Sequence, residues 1–414
     1  MITYEKKILQ NGLTVLFNKD VNTPMAAVNT IYKVGSRNEF PDKTGFAHLF
    51  EHLMFGGSQN VPQFDIPLQE AAGEDNAFTN DDYTNYYEVL PKENIETALW
   101  VESDRMRNLN INKETLALQQ KVVVEEFKQR YLNQPYGDLN AMLRDMAFKV
   151  HPYRWLTIGK DVSHIENATL SDVQAFYDTF YQPDNAIIGI SGDFESDEIF
   201  ALVEKWFGDI KGSKSDIPKI PQELKQEEAR RMSVSRDVSA SAIYIVFKMS
   251  DRLSYDYILC DTISDILSSG NSSRLYRKLV VENPLFSNIN AYISGNIDPS
   301  LFVVCGYLSE GVTVEDGEKA MVNAISEFCD SAIEDTELEK VKNKFEANTL
   351  FGELNVSNKA MNLCYYEMIG DISLINSEIG RYRGVTPQEI TTMAKQLFRT
   401  ENSSTLIYKS DNDR

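Results

Sequence analysis

The sequence predicts a two-domain protein of mixed helices and strands, and three observations carry that prediction. The chain has 414 residues, more than one ordinary hydrophobic core accommodates and suited to two domains of about two hundred residues each. Near its middle, the polar stretch Lys211-Gly212-Ser213-Lys214-Ser215-Asp216-Ile217-Pro218-Lys219-Ile220-Pro221 interrupts helical periodicity and leads into a charged segment ending at Arg230-Arg231. It reads as a linker. The two sides of this linker also end alike. Leu170-Ser171-Asp172-Val173-Gln174-Ala175-Phe176 leads through a helix to the apolar strand Ala186-Ile187-Ile188-Gly189-Ile190, and Thr386-Pro387-Gln388-Glu389-Ile390 leads through another to Thr405-Leu406-Ile407-Tyr408. Such repetition argues for a duplicated domain, divided into residues 1–212 and 213–414.

Composition narrows the functional classes. The apolar share of 42% and charged share of 25% are those of a globular protein. A net charge of −21 and a pI near 4.7 leave no basic stripe to follow a phosphate backbone, which argues against nucleic-acid binding. Neither a glycine-rich phosphate loop nor a basic amphipathic membrane helix is present in the sequence. No run approaches the roughly eighteen apolar residues of a membrane span, and the start, Met1-Ile2-Thr3-Tyr4-Glu5-Lys6-Lys7, lacks the apolar core of a signal peptide. A cytoplasmic location is expected, or a periplasmic or organellar one if a leader precedes the sequence.

Along the chain, the first segment that carries chemistry is His48-Leu49-Phe50-Glu51-His52. Thr44 is a candidate N-cap before it, and Gly56-Gly57 a stop after it, so the segment is expected to be a helix. Residues four apart stand one turn above each other, which lets both imidazoles reach one tetrahedral metal ion, and Glu51 shares their face. Hydrolytic zinc sites keep a position open for water, and a neighbouring carboxylate can take that water's proton. The His-x-x-Glu-His order is the inverzincin peptidase signature. With only four histidines in the chain, a chance match is on the order of a few per thousand. Leu49, Leu53, Met54 and Phe55 give the helix an apolar side on which to pack.

A third protein ligand must come from elsewhere. His151 and His164 qualify by residue type, but each falls in or beside a loop-like stretch, where a histidine is more often a hydrogen-bonded spacer. The better candidates are Glu125 and Glu126 in Val122-Val123-Val124-Glu125-Glu126, inside a helical stretch expected over 113–131. Adjacent helical residues point about 100° apart, so at most one of the two can face the metal. Spacing alone leaves that choice open.

Residues 45–137 resemble the pitrilysin family of inverzincins, which includes the mitochondrial processing peptidase with its zinc-bearing subunit and bacterial relatives. The matching features are His48-x-x-Glu51-His52 with Gly56, Asn76-Ala77-Phe78-Thr79 with Thr84-Asn85-Tyr86-Tyr87, and the Val-Val-Val-Glu-Glu run. The resemblance implies that Glu126 is the third ligand of one zinc ion per chain, beside His48 and His52, with Glu51 as the catalytic base. Glu125 then has a supporting role or none. One departure is Gln119, where the family usually has another glutamate; an amide can hydrogen-bond but adds no charge. The resemblance further implies an α+β fold, two tandem copies of a domain with a mostly antiparallel sheet flanked by helices, of the processing-peptidase/LuxS-like metallohydrolase type. Asn76, Ala77, Phe78 and Thr79 match the family's edge strand, on which an extended peptide adds as a further strand. The acids Glu74, Asp75, Asp81 and Asp82 around it could attract basic peptide segments.

The second half differs in chemistry. All four histidines precede the linker and all four cysteines, Cys260, Cys305, Cys329 and Cys364, follow it. Their spacing matches no zinc or redox motif, so they read as buried thiols of a reducing compartment. Family members that form complete catalytic units carry an Arg and a Tyr seven residues apart after a Ser-x-Arg-Leu-Tyr-like segment. Ser272-Ser273-Arg274-Leu275-Tyr276 aligns, but Val280 and Ser287 occupy the two positions. Val cannot help stabilise a developing oxyanion and Ser does so poorly. The expectation is a zinc endopeptidase acting on short or unfolded peptides in a chamber, as the zinc-bearing subunit of a heterodimer whose second, homologous chain supplies the Arg and Tyr. The alternatives are a non-catalytic scaffold subunit of the same fold and a self-sufficient homodimer.

Overall fold

The computed structural model describes residues 1–212 and 217–411; residues 213–216, within the expected linker, lie outside it. The chain forms two compact units, one of residues 1–129, 155–220 and 349–377, the other of residues 130–154, 221–348 and 378–414. The passage between them at Ile220 and Pro221 falls at the end of the polar stretch. Each unit also draws a segment from the other half of the sequence.

The first unit is built on a six-stranded sheet of β1 (Glu5–Ile8), β2 (Thr14–Lys19), β3 (Met25–Tyr32), β4 (Glu74–Thr79), β5 (Thr84–Pro91) and β6 (Ala186–Gly192). Its order is β1-β2-β6-β3-β5-β4, antiparallel throughout except where β2 runs parallel to β6. The apolar runs of β3 and β6 are buried on both faces, as expected of central strands covered above and below. Ala27 and Ile31 of β3 pack toward the helix Val356–Met368. Tyr32, on the opposite face, stands 4.5 Å from the Tyr181 ring. Gly189 lets that helix approach, because a Cβ there would lie 2.4 Å from the Ala360 carbonyl oxygen.

The second unit holds β7 (Arg230–Arg236), β8 (Ala242–Lys248), β9 (Phe286–Ile293), β10 (Leu301–Leu308) and β11 (Ser403–Ser410) in the order β7-β11-β8-β10-β9. Here β7 and β11 are the parallel pair. With β1 set aside, strand for strand this is the topology of the first sheet. Period-two alternation again divides the sides. Ile243, Ile245 and Phe247 enter one apolar cluster with helix residues Ile263, Met321 and Ile390, while Ala242, Tyr244 and Val246 enter a second with Leu139 and Leu143. Those two leucines belong to the helix Leu139–Ala147. In both units, then, a helix from the other half of the sequence covers one face of the sheet. The fold is the mixed α+β class with mainly antiparallel sheets that was expected.

Cys260, Cys305 and Cys364 are buried thiols and Cys329 is half-buried. Burial pushes Cys260 and Cys364 up to about 12, so they are inert at neutral pH. Among the described residues no helix is long and apolar enough to cross a membrane.

Candidate metal centre and active site

The motif segment forms the helix Phe46–Leu53. Its apolar residues Phe46, Ala47, Leu49, Phe50 and Leu53 are buried, and Phe50 stacks on Phe176 and Tyr181 with ring centroids 4.9 and 5.0 Å away. Burying that side turns His48, Glu51 and His52 to the other. Thr44 is not the N-cap. Gly45 takes that position, at φ 87°, because the chain turns into the helix through a left-handed residue and a Cβ there would meet the Ile158 carbonyl oxygen at 2.6 Å. The N–H groups of the N-cap Gly45 and of Ala47 in the first turn are taken by the carboxyl oxygens of Glu39, each at 2.9 Å.

The second helix, Lys113–Phe127, continues as a wider turn over Lys128–Leu132. It starts with a capping box in which the Asn112 side chain accepts from the N–H groups of Glu114 and Thr115. Leu116, Val123 and Val124 bury its inner face. Of the two candidate glutamates, Glu125 points to solvent and pairs with Lys128 at 2.7 Å. Glu126 turns inward, its Oε2 lying 3.7 Å from His48 Nε2 and 3.4 Å from His52 Nε2.

Among the described residues, His48, His52 and Glu126 form the group able to hold a metal ion, with ligand atoms within 4.8 Å of one another. The spacing fits zinc. Two ligand atoms each about 2.0–2.1 Å from a tetrahedral ion stand about 3.3 Å apart, close to the separations from Glu126. The imidazole planes cross at 88° with centroids 4.9 Å apart, so two nitrogens on successive turns can converge on one point. All three side chains are only 12–24% exposed. His151 and His164 are not part of the group. His151 Nε2 contacts Asp298 Oδ2 at 3.2 Å in the second unit, and His164 Nδ1 accepts the Thr44 N–H at 3.2 Å.

Glu51 lies beside this group, close to Thr79. Burial raises its pKa, and nearby Glu126 adds to the rise, while Thr79 and His52 oppose it. Thr79 ends β4, which among the described residues pairs only with β5 and closes the sheet. The residues Asn76, Ala77, Phe78 and Thr79 therefore lie on an edge strand. The Ala77 N–H is occupied by the side chain of Asn76 at 2.8 Å. The acidic rim is smaller than the composition suggests. Asp81 is buried and accepts the Ser36 hydroxyl, and Asp82 is buried against Arg37 at 3.0 Å, which leaves Glu74 exposed and Asp75 half-buried.

Val280 packs against the core of the second unit, and Ser287 is an exposed residue of β9 whose hydroxyl donates to the Tyr307 carbonyl at 3.2 Å. Sequence reasoning missed Glu39, Gln120 and the true partner of His164. Nothing in their spacing distinguishes them, since each acts through a contact made only after folding.

This fold and this group of residues define a metallopeptidase class, and the chain belongs to the M16 peptidase family. The family description "Insulinase (Peptidase family M16)" matches residues 14–155, and "Peptidase M16 inactive domain" matches residues 167–345. The chain is similar to "Zinc protease PqqE" of Helicobacter pylori, at 30% identity over 98% of this chain and 93% of the relative. A crystal structure of a protease from Helicobacter pylori superposes with a TM-score of 0.94 at 29% identity, covering 99% of this chain and 100% of the other. The beta subunit of the mitochondrial-processing peptidase of Saccharomyces cerevisiae is 25% identical over 51% of this chain and 46% of its own length.

Proposed function

We propose that this chain is a zinc-dependent endopeptidase that hydrolyses short or unfolded peptides, as the zinc-bearing subunit of a heterodimeric chamber. The observation that carries the reading is the convergence of His48, His52 and Glu126 with Glu51 beside them. The three would hold one zinc ion, which when bound polarises the scissile carbonyl and acidifies water. An extended peptide lies along β4, hydrogen-bonding through its main chain at Asn76 to Thr79. Binding there displaces the Asn76 side chain from the Ala77 N–H, which then serves the substrate. Glu51, close to the end of the same strand at Thr79, takes a proton from the attacking water at its carboxylate and delivers it to the departing amine. Val280 and Ser287 stand where the family's Arg and Tyr would help to stabilise the oxyanion, and a second homologous chain supplies that pair.

Zinc content tests the ligand set. The purified chain is expected to hold one zinc per chain, and His52→Ala to lose most of it while keeping its far-ultraviolet circular dichroism. A wild-type protein that stays metal-free in excess zinc would instead favour a non-catalytic scaffold subunit.

A further inference from the structure

The structure assigns Glu39 and His164 a positioning role, in which they fix the entry to the motif helix and, with Gln120, hold it in register with the helix that carries Glu126. The proposal rests on the catalytic reading above. Neither residue belongs to the ligand group.

The motif helix has only eight residues, two turns, which are too few to be stable by themselves. Its direction therefore depends on what holds its first turn and on what its apolar side packs against. Four N–H groups at a helix start have no partner within the helix. The carboxylate of Glu39, only 6% exposed, takes two N–H groups at this start, with one oxygen on Gly45 and the other on Ala47. Ala47 directly precedes the ligand His48. A carboxyl group offers two oxygens, side by side, one for each N–H of this fork.

The residue before Gly45 is held from another side. Thr44 is fully buried, and its N–H and hydroxyl lie 3.2 and 2.9 Å from His164 Nδ1. A backbone N–H can only donate, so Nδ1 is the acceptor and the ring proton sits on Nε2. The Thr44 hydroxyl oxygen in turn accepts the Lys160 N–H at 2.7 Å. Immediately after His164, the carbonyls of Ile165 and Ala168 accept from the Gln120 amide at 2.7 and 3.0 Å. Gln120 belongs to the helix that carries Glu126. One short segment, residues 160–168, thus touches the entry to the first ligand-bearing helix and the side of the second. The ligand atoms these helices bring together are 3.4 and 3.7 Å apart, a spacing that leaves little room for drift. Displacement of reacting groups by about 1 Å can cost about a hundredfold in rate.

The test compares Glu39→Gln, His164→Ala and His164→Asn with the wild-type chain. It uses amide hydrogen exchange over residues 44–50 in metal-free and zinc-loaded protein, together with kcat and KM on a short unstructured peptide. Asn can present a carbonyl oxygen where the imidazole presents Nδ1, so it restores the acceptor that Ala removes. His164→Ala should speed exchange over 44–48 and lower kcat, each by roughly tenfold, with KM within about twofold. His164→Asn should return both close to wild type. Glu39→Gln places an amide donor against an N–H and should cost kcat up to about a hundredfold while saturating zinc still binds. Wild-type exchange in both His164→Ala and Glu39→Gln would overturn the proposal, as would a His164→Ala defect that Asn leaves uncorrected. If Glu39→Gln does not fold, the His164 pair decides alone. If the wild-type chain cleaves no peptide even when paired with a homologous chain that carries the Arg and Tyr, the catalytic reading fails, whereas the exchange data still decide the positioning claim.

Discussion

Glu39, Glu51 and Glu223 are carboxylates with different surroundings, and those surroundings set what each can do. Burial pushes Glu39 up to about 8 despite the N–H groups of Ala47 and Gly45 that it accepts. Glu51 is also raised by burial, with Thr79 opposing. At Glu223 burial again opposes ionisation, but the N–H groups of His151, Val150 and Lys149 and the Lys248 ammonium hold it down at about 2. Its ordinary value is 4.5, so the stabilisation is fully present above that pH and disappears as pH falls toward 2. Glu223→Gln should therefore cost about 2 kcal/mol at pH 7, with the gap to wild type closing between pH 4.5 and 2. Urea unfolding across that range measures it, and a pH-independent gap would contradict the assignment. The candidate ligand residues were legible because metal binding restricts residue type and helical spacing together. The choice of Glu126 over Glu125 was not set by spacing; it came with the family resemblance, and the folded helix turns Glu125 to Lys128. Glu39 was illegible because a buried acid six residues before a glycine has no local signature.

Among the elements, the helices that carry the ligands follow from apolar periodicity, while their ends do not. The motif helix opens on Gly45 rather than Thr44 because its cap is supplied by Glu39, from outside the local sequence. Behind β4 and β5 lies a feature that periodicity gave no reason to expect. Arg105 on the helix Ile95–Asn108 is fully buried, paired with Glu102 and 3.4 Å from Glu88 of β5. Its guanidinium lies 4.3 Å from the ring centroids of both Phe64 and Tyr86. Buried charge is tolerated when every member has a partner, and removal of one partner costs about 3–5 kcal/mol. Arg105→Met should therefore lower the urea midpoint strongly by leaving the buried Glu102 without its cation, beside a Glu88 whose pKa burial and Glu102 already push well up. A midpoint within experimental error of wild type would show that the pair is neutralised by other means.

For the whole molecule, the duplicated topology was readable from the repeated helix-then-strand endings, because strands of similar burial recur at similar positions. The exchange of Val356–Met368 and Leu139–Ala147 between the halves was not, since an apolar helix face does not state which sheet it covers. Division of the catalytic groups between chains belongs to this scale too. The isolated chain should cleave peptides slowly, by roughly a hundredfold or more below its pair with a homologous chain that carries the Arg and Tyr, given the usual worth of one oxyanion donor. Steady-state rates with and without that second chain measure this, and full activity of the chain alone would contradict it. The most direct test of the central claim replaces the base and leaves the ligands. Glu51→Gln should still bind one zinc per chain, measured by elemental analysis, while peptide cleavage by the assembled enzyme falls below detection; normal cleavage by that variant would contradict the account.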